Sequence, residues 1–330
     1  TDQELPAIWE DRIIWKSQYS NPNDSGSILS ELFLYNLSTG KTTRVASGLT
    51  GVTMIDIWED LVVWNSCEGD YSDIYLFNLS NSEIKRITND SLNQVKPQVW
   101  ESNIVWQDGD DNDAEWNIYL YNIESGNILN LGNGSGFAKY PAIWEDRVVW
   151  QDLRNGADYD IFLYNITTGI ETRITTDPSD QVTPSIWGDL IVWQDYRNAT
   201  LQIYVYDLNS ASETQVSFGD HNFENPIIHN NSIVFVNQSE YFDIYLIDLL
   251  TEKQGKISSD VTGAAQVDPD IWGDRIVWTD SRNGYYDVYL YTLGISKPPL
   301  SADFNQNMTQ GEPPLSVEFT DISTGEVDGW

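Results

Sequence analysis

Short apolar runs, separated by clusters of Asp, Asn, Ser and Gly, fill the chain from its first residues to about residue 294. The segment from Tyr140 to Gln181 shows the pattern most fully. Its runs are Ala142-Ile143-Trp144, Arg147-Val148-Val149-Trp150, Asp160-Ile161-Phe162-Leu163-Tyr164 and Glu171-Thr172-Arg173-Ile174-Thr175. All four are rich in β-branched or aromatic residues and predict strands. Between them, Glu145-Asp146, Arg154-Asn155-Gly156 and Thr167-Thr168-Gly169 carry residues suited to tight hairpin turns, where Asp, Asn and Gly tolerate positive φ. The unit is therefore a four-stranded antiparallel meander. Its third strand is apolar on both faces, Ile161 and Leu163 on one and Phe162 and Tyr164 on the other, so something must cover each face.

Neighbouring copies provide the cover. The first tryptophan of the unit falls at Trp9, Trp58, Trp100, Trp144 and Trp187, then His229 stands in its place, then Trp272 follows. The second comes six residues later each time, at Trp15, Trp64, Trp106, Trp150, Trp193, Phe235 and Trp278. Seven copies of about 43 residues, each with four strands, predict a seven-bladed β-propeller over residues 1–294. The first strands should line its channel and the paired tryptophans should wedge the blades apart. Third strands recur as Leu32-Phe33-Leu34-Tyr35, Ile74-Tyr75-Leu76-Phe77, Ile118-Tyr119-Leu120-Tyr121, Ile203-Tyr204-Val205-Tyr206, Ile244-Tyr245-Leu246-Ile247 and Val288-Tyr289-Leu290-Tyr291. Nothing like a fourth strand follows Leu293. The expectation is that the missing strand lay just before residue 1, that the chain ends share ring closure, and that the edge from Asp287 to Tyr291 stays unpaired.

After Gly294 the repeat stops. Residues 295–330 begin with a proline-containing linker, Ile295 to Leu300, and continue with strand-like Ala302-Asp303-Phe304 and Leu315-Ser316-Val317-Glu318-Phe319. Some thirty residues are too few to bury a sandwich core, so this is the opening of a second, incomplete domain.

The repeat P-x-I-W-x-D-x-[IV]-V-W-x-D-x-R-N-G-x-x-D-I-Y-L-Y-N, seen from Pro141 to Asn165, resembles the TolB-type β-propeller repeat. The tail resembles the start of a PKD domain, a β-sandwich, in Ala302-Asp303-Phe304, Pro314-Leu315, Val317, Phe319-Thr320-Asp321, Ser323-Thr324-Gly325 and Trp330. A tryptophan-rich propeller followed by PKD modules is similar to secreted or cell-envelope proteins of methanogenic archaea. That resemblance implies an extracellular, cell-surface location and an all-β surface protein without assigned chemistry.

Charge narrows the partners. With 51 acidic against 17 basic residues the net charge is -34, which repels nucleic acid and anionic membranes and favours cations or basic partners. No apolar stretch approaches the ~20 residues of a membrane helix, and none is expected to insert. The single cysteine, Cys67, cannot form an internal disulfide and says nothing of compartment. Ten N-x-[ST] sequons predict a glycoprotein if the host glycosylates; Asn36, Asn78 and Asn165 among them fall at one place in their units.

Candidate chemistry is sparse. Asp108, Asp152, Asp195 and Asp280 lie two residues after the second tryptophan, and the last three precede Arg-Asn by one residue. They are either a ring of cation ligands or carboxylates that accept turn amides and pair with arginine; the second reading fits their repetition. The run Asp108 to Glu115 offers alternating oxygens, with Asp108, Asp110, Asn112 and Asp113 as a calcium candidate. It departs from an EF-hand loop, because Asp113 stands where glycine would turn the chain and Tyr119 where a bidentate Glu would sit. Both histidines, His221 and His229, fall in the sixth copy near Asp220 and Glu224, a metal arrangement weighed against simple drift of one blade. No cofactor is otherwise indicated, and nucleophile elbows, phosphate loops and HExxH are absent from the sequence. The expected function is a non-enzymatic interaction scaffold that binds protein or glycan through its loops. A glycan lyase or hydrolase assembled from several loops is the alternative.

Overall fold

The computed structural model describes residues 2–294 apart from 22–25, 68, 111–114, 133–136 and 259–262. The linker and PKD-like segment, 295–330, lie outside the described residues. Seven antiparallel sheets follow one another, each formed by consecutive strands in meander order. The first six have four strands; the seventh, Gln266–Trp272, Arg275–Asp280 and Asp287–Thr292, has three among the described residues. This is the seven-bladed propeller that the repeat predicts.

The hydrophobic clusters lie between blades, not within them. One joins Val105, Ile118 and Leu120 of blade three to Val148, Trp150 and Phe162 of blade four, and another joins Val149 and Leu163 to Trp193 and Tyr204 of blade five. Each second tryptophan fills such a seam: Trp15, Trp64, Trp106, Trp150, Trp193 and Trp278 are 3% exposed or less. Each also stacks on the aromatic paired with it on the third strand, Trp64 on Tyr75 at 5.7 Å, Trp106 on Tyr119 at 5.9 Å and Trp193 on Tyr204 at 6.1 Å. Burial of so large a ring, with an offset stacking partner, makes this layer the main apolar contribution per residue.

The first tryptophans correct the expectation that both of each pair act as wedges. They are half-buried and meet around the axis. Trp9 contacts Trp58 at 6.5 Å and Trp272 at 5.6 Å, Trp58 contacts Trp100 at 6.0 Å, Trp100 contacts Trp144 at 6.0 Å, and Trp144 contacts Trp187 at 5.7 Å. His229 completes the circle, 3.9 Å from Trp187 and 4.7 Å from Trp272. Trp100, Trp187 and Trp272 also touch one another across the axis at 5.4–6.4 Å. Seven aromatic rings thus plug one end of the channel.

Ring closure uses an ordinary junction. The N–H of Gln3 donates to Tyr286 O at 2.7 Å, which repeats Gln181 N to Tyr159 O at 2.8 Å, Ala138 N to Trp116 O at 2.9 Å and Phe223 N to Leu201 O at 3.1 Å. Ile8, Ile13 and Trp15 of blade one pack on Val277, Val288 and Leu290 of blade seven. Among the described residues the two blades share no strand, and Asp287–Thr292 is the outer edge of its sheet.

Candidate functional site

The channel that the aromatic plug closes is a cavity of about 340 Å³ bounded by the first strands of all seven blades. Its opposite end is set by one recurrent distortion. Six first strands carry a register shift just before their apolar core, for example between Glu4 and Ala7, Val182 and Ser185, and Val267 and Asp270. Proline occupies the position three before the axial residue in six copies: Pro6, Pro97, Pro141, Pro184, Pro226 and Pro269. It has no N–H to give to the ladder, so a bulge is tolerated there. The preceding residue then takes positive φ in the same six copies, 54° at Leu5, 58° at Lys96, 54° at Tyr140, 53° at Thr183, 52° at Asn225 and 51° at Asp268. Non-glycine residues in this region are strained, and such strain concentrates at functional sites.

Those six residues, with Met54 at the equivalent place in blade two, all line the channel. No two are alike: Leu5, Met54, Lys96, Tyr140, Thr183, Asn225 and Asp268. Three of these backbones are tied to the preceding blade. Gln107, Gln151 and Gln194, which follow the second tryptophans, accept the N–H of Tyr140 at 2.9 Å, Thr183 at 2.8 Å and Asn225 at 3.2 Å from the next blade. The repeat thus fixes the frame and varies the side chain displayed on it.

Charge sits on two walls of this mouth. Burial pushes the Lys96 ammonium down and the Asp268 carboxyl up, and each opposes the other's shift across the channel. Lys96 Nζ stands 5.3 Å from the centre of the Tyr140 ring, a cation–π contact. Beside Asp268, Glu4 and Lys16 pair with each other at 2.7 Å. Deeper in the channel, burial pushes the Asp56 carboxyl up to about 7 and that of Asp270 to about 6, although each accepts a backbone N–H of the next blade, Val99 and Ile8, at 2.8 Å. Gln98 and Ser185 occupy the same place and accept Ile143 N and Ile228 N, so this inner set pins blade to blade. At the plug, burial holds the His229 imidazole down at about 4, and its Nδ1 accepts Gly273 N at 3.1 Å.

The residues singled out in the sequence fall elsewhere. Asp152, Asp195 and Asp280 are fully buried. Each accepts the indole N–H of its tryptophan at 2.9–3.1 Å and the backbone N–H of the arginine two residues on at 2.9 Å, and pairs with that guanidinium at 2.5–2.6 Å. That is the structural reading. Asp108 lacks the arginine; it is buried on the second strand of blade three, and burial, with Asp90 adding, pushes it up to about 6. Asp110 ends that strand opposite Glu115, while Asn112 and Asp113 lie outside the described residues. Among the described residues no three His, Cys, Asp or Glu side chains are grouped to hold a metal. His221 is exposed and His229 buried, and an eight-residue strand, Asn222–His229, separates them, roughly 26 Å at the usual rise, so they share no site. The sequon residues Asn36 and Asn165 spend their amides on Asp11 and Asp146 at 3.0 and 2.9 Å. The mouth itself was missed, although a proline that follows six different residues at one register was visible in the sequence.

Solved structures give the fold independent support. The β-propeller domain of the Trilobed protease from Pyrococcus furiosus, described as having an open velcro topology, superposes with a TM-score of 0.70 at 12% identity over 89% of this chain and 96% of that one. An acylaminoacyl peptidase from Pyrococcus horikoshii gives 0.68 at 14% identity over 88% of this chain, which spans only 51% of the peptidase. TolB from Acinetobacter baumannii matches over 65% of this chain with a TM-score of 0.48 at 19% identity. No family model and no curated protein matches the chain. The first two likenesses bear out the β-propeller fold, and the seven sheets give its blade count. They also correct the expected function: these two propellers, alike over 88–89% of this chain, belong to a protease and a peptidase, where a glycan- or protein-binding scaffold was expected.

Proposed function

We propose that the chain is the propeller module of a peptidase system, which holds peptide at the open mouth of its channel and leaves bond cleavage to a separate catalytic domain or subunit. The observation that carries this reading is the mouth: seven non-identical residues at one register, six of them at positive φ, above a channel that aromatic rings close at the far end. A blind channel suits holding the end of a chain, because whatever enters must leave by the same side. Peptide backbones and termini supply the donors, acceptors and charges that Lys96, Tyr140, Thr183, Asn225 and Asp268 would meet. The net charge of -34 suits a hydrated exterior, the compartment expected from the sequence.

The first strands place tryptophans at the channel floor, so binding is readable in intrinsic fluorescence. The protein is titrated with the tripeptide Ala-Phe-Ala, with its N-acetylated and C-amidated form, and with maltohexaose, while released amines are measured in parallel. Saturable quenching by peptide, none by the oligosaccharide and no amine release are expected. Saturation by maltohexaose with no peptide response overturns the peptide assignment, and peptide hydrolysis by this chain, lost in Lys96→Met, overturns the placing of catalysis elsewhere.

A further inference from the structure

At the mouth, Lys96 and Asp268 face a common cavity without forming an ion pair with each other, while Asp56 and Asp270 line it deeper down and accept backbone N–H groups. Lys96 belongs to blade three and Asp268 to blade seven, and the axial residues of these two blades, Trp100 and Trp272, touch at 6.4 Å across the axis. Lys96 and Asp268 are both half-buried, and each alters the other's ionisation. The other charged pair at this level, Glu4 with Lys16, is already satisfied at 2.7 Å. Holding a partly desolvated ammonium and a partly desolvated carboxylate apart is unfavourable unless something brings each an opposite charge.

A neutral ligand relieves neither wall, and a simple anion or cation relieves one. A ligand with a carboxylate at one end and an ammonium at the other relieves both. The size of the cavity, about 340 Å³, lies at the small end of ligand pockets and restricts the occupant to a few residues. Its floor is apolar, made of Trp9, Trp58, Trp100, Trp187 and Trp272, and suits one large apolar side chain. The Tyr140, Thr183 and Asn225 side chains stand between the charged walls, where a peptide's own N–H and C=O groups would lie.

Building on the peptide reading above, we propose that the mouth selects short peptides with both ends free, taking the terminal carboxylate at Lys96, the terminal ammonium at Asp268 and an apolar side chain on the tryptophan floor. The ligand class is the free di- or tripeptide, the size of a proteolysis product or of a substrate trimmed nearly to completion.

The test is calorimetric titration of the full chain with Ala-Phe-Ala in four forms: free, N-acetylated, C-amidated and blocked at both ends. Blocking either end should weaken binding at least tenfold. Lys96→Met should bind the free and amidated forms alike, Asp268→Asn should bind the free and acetylated forms alike, and Lys96→Arg should keep the wild-type preference. An unchanged melting temperature in each variant excludes misfolding as the cause. If the doubly blocked peptide binds as tightly as the free one, or if each variant weakens all four forms equally, the terminus assignment is wrong while peptide binding stands. If no form binds, the peptide reading falls with it.

Discussion

The same seven strands behave oppositely at two levels about four residues apart, roughly 13 Å along a strand. At the axial level the repeat keeps tryptophan in six copies out of seven and packs the rings into a closed plug. At the mouth it keeps the backbone, with its proline, bulge and positive φ, in six copies out of seven, and changes the side chain in every copy. Identity at equivalent positions solves a packing problem shared by all blades. Difference on a constant frame cannot serve that purpose, because equivalent seams need equivalent contacts. On the peptide-holding proposal, function in this propeller belongs to the level where the frame repeats and the chemistry does not.

The contrast can be broken by mutation. The largest effect on stability is expected from the seam layer: Trp193→Ala empties a fully buried site stacked on Tyr204 and should cost ~3–5 kcal/mol, read as a lowered denaturation midpoint with an unchanged slope. An unchanged midpoint would mean that the seam does not carry the fold. An intermediate and pH-dependent effect is expected at the inner pins. Burial raises the Asp56 carboxyl from 3.8 to about 7, so between about pH 4 and 7 the folded state binds a proton that the unfolded state has lost, and stability drains away as pH rises through that window. Asp56→Asn retains an oxygen for Val99 N and removes the titration. Its melting temperature should match wild type near pH 4 and exceed it progressively up to pH 7; a constant difference would show that Asp56 does not titrate there. The smallest effect belongs to the mouth. Thr183→Ala should stay within about 0.5 kcal/mol of wild type while weakening tripeptide binding, and a large loss of stability would make that ring structural.

Much of the fold was legible because its determinants are local and repeated. The fixed six-residue spacing from Trp144 to Trp150 and its copies set the first hairpin, and the doubly apolar third strands required packing between blades. The pairing of Asp152 with Arg154 was legible for the same reason, since both partners lie within one turn. The site was not. The two tryptophans of each unit look equivalent in sequence, yet an even separation along bulge-free strands and a tight turn does not say which ring reaches the axis and which fills a seam. Whether Lys96 points outward or into the channel depends on a bulge that shifts the alternation of faces, and its relation to Asp268, in a blade 172 residues away by the numbering, depends on closure of the whole ring. The acidic loops and the histidines are conspicuous in the sequence instead, because they break the repeat. Asp108 is conspicuous in the structure only for lacking the arginine that its counterparts keep.

The proposed ligand chemistry is confined to the level of Lys96 and Asp268. A crystal structure of the protein with free Ala-Phe-Ala tests it most directly. Density is expected for one tripeptide in the channel, its carboxylate within hydrogen-bond distance of Lys96 Nζ, its ammonium against Asp268, and its phenylalanine on the ring that contains Trp100 and Trp272. Density at the edge of blade seven, on the outer strands or on the turn face beyond the aromatic plug, with an empty channel, would contradict it.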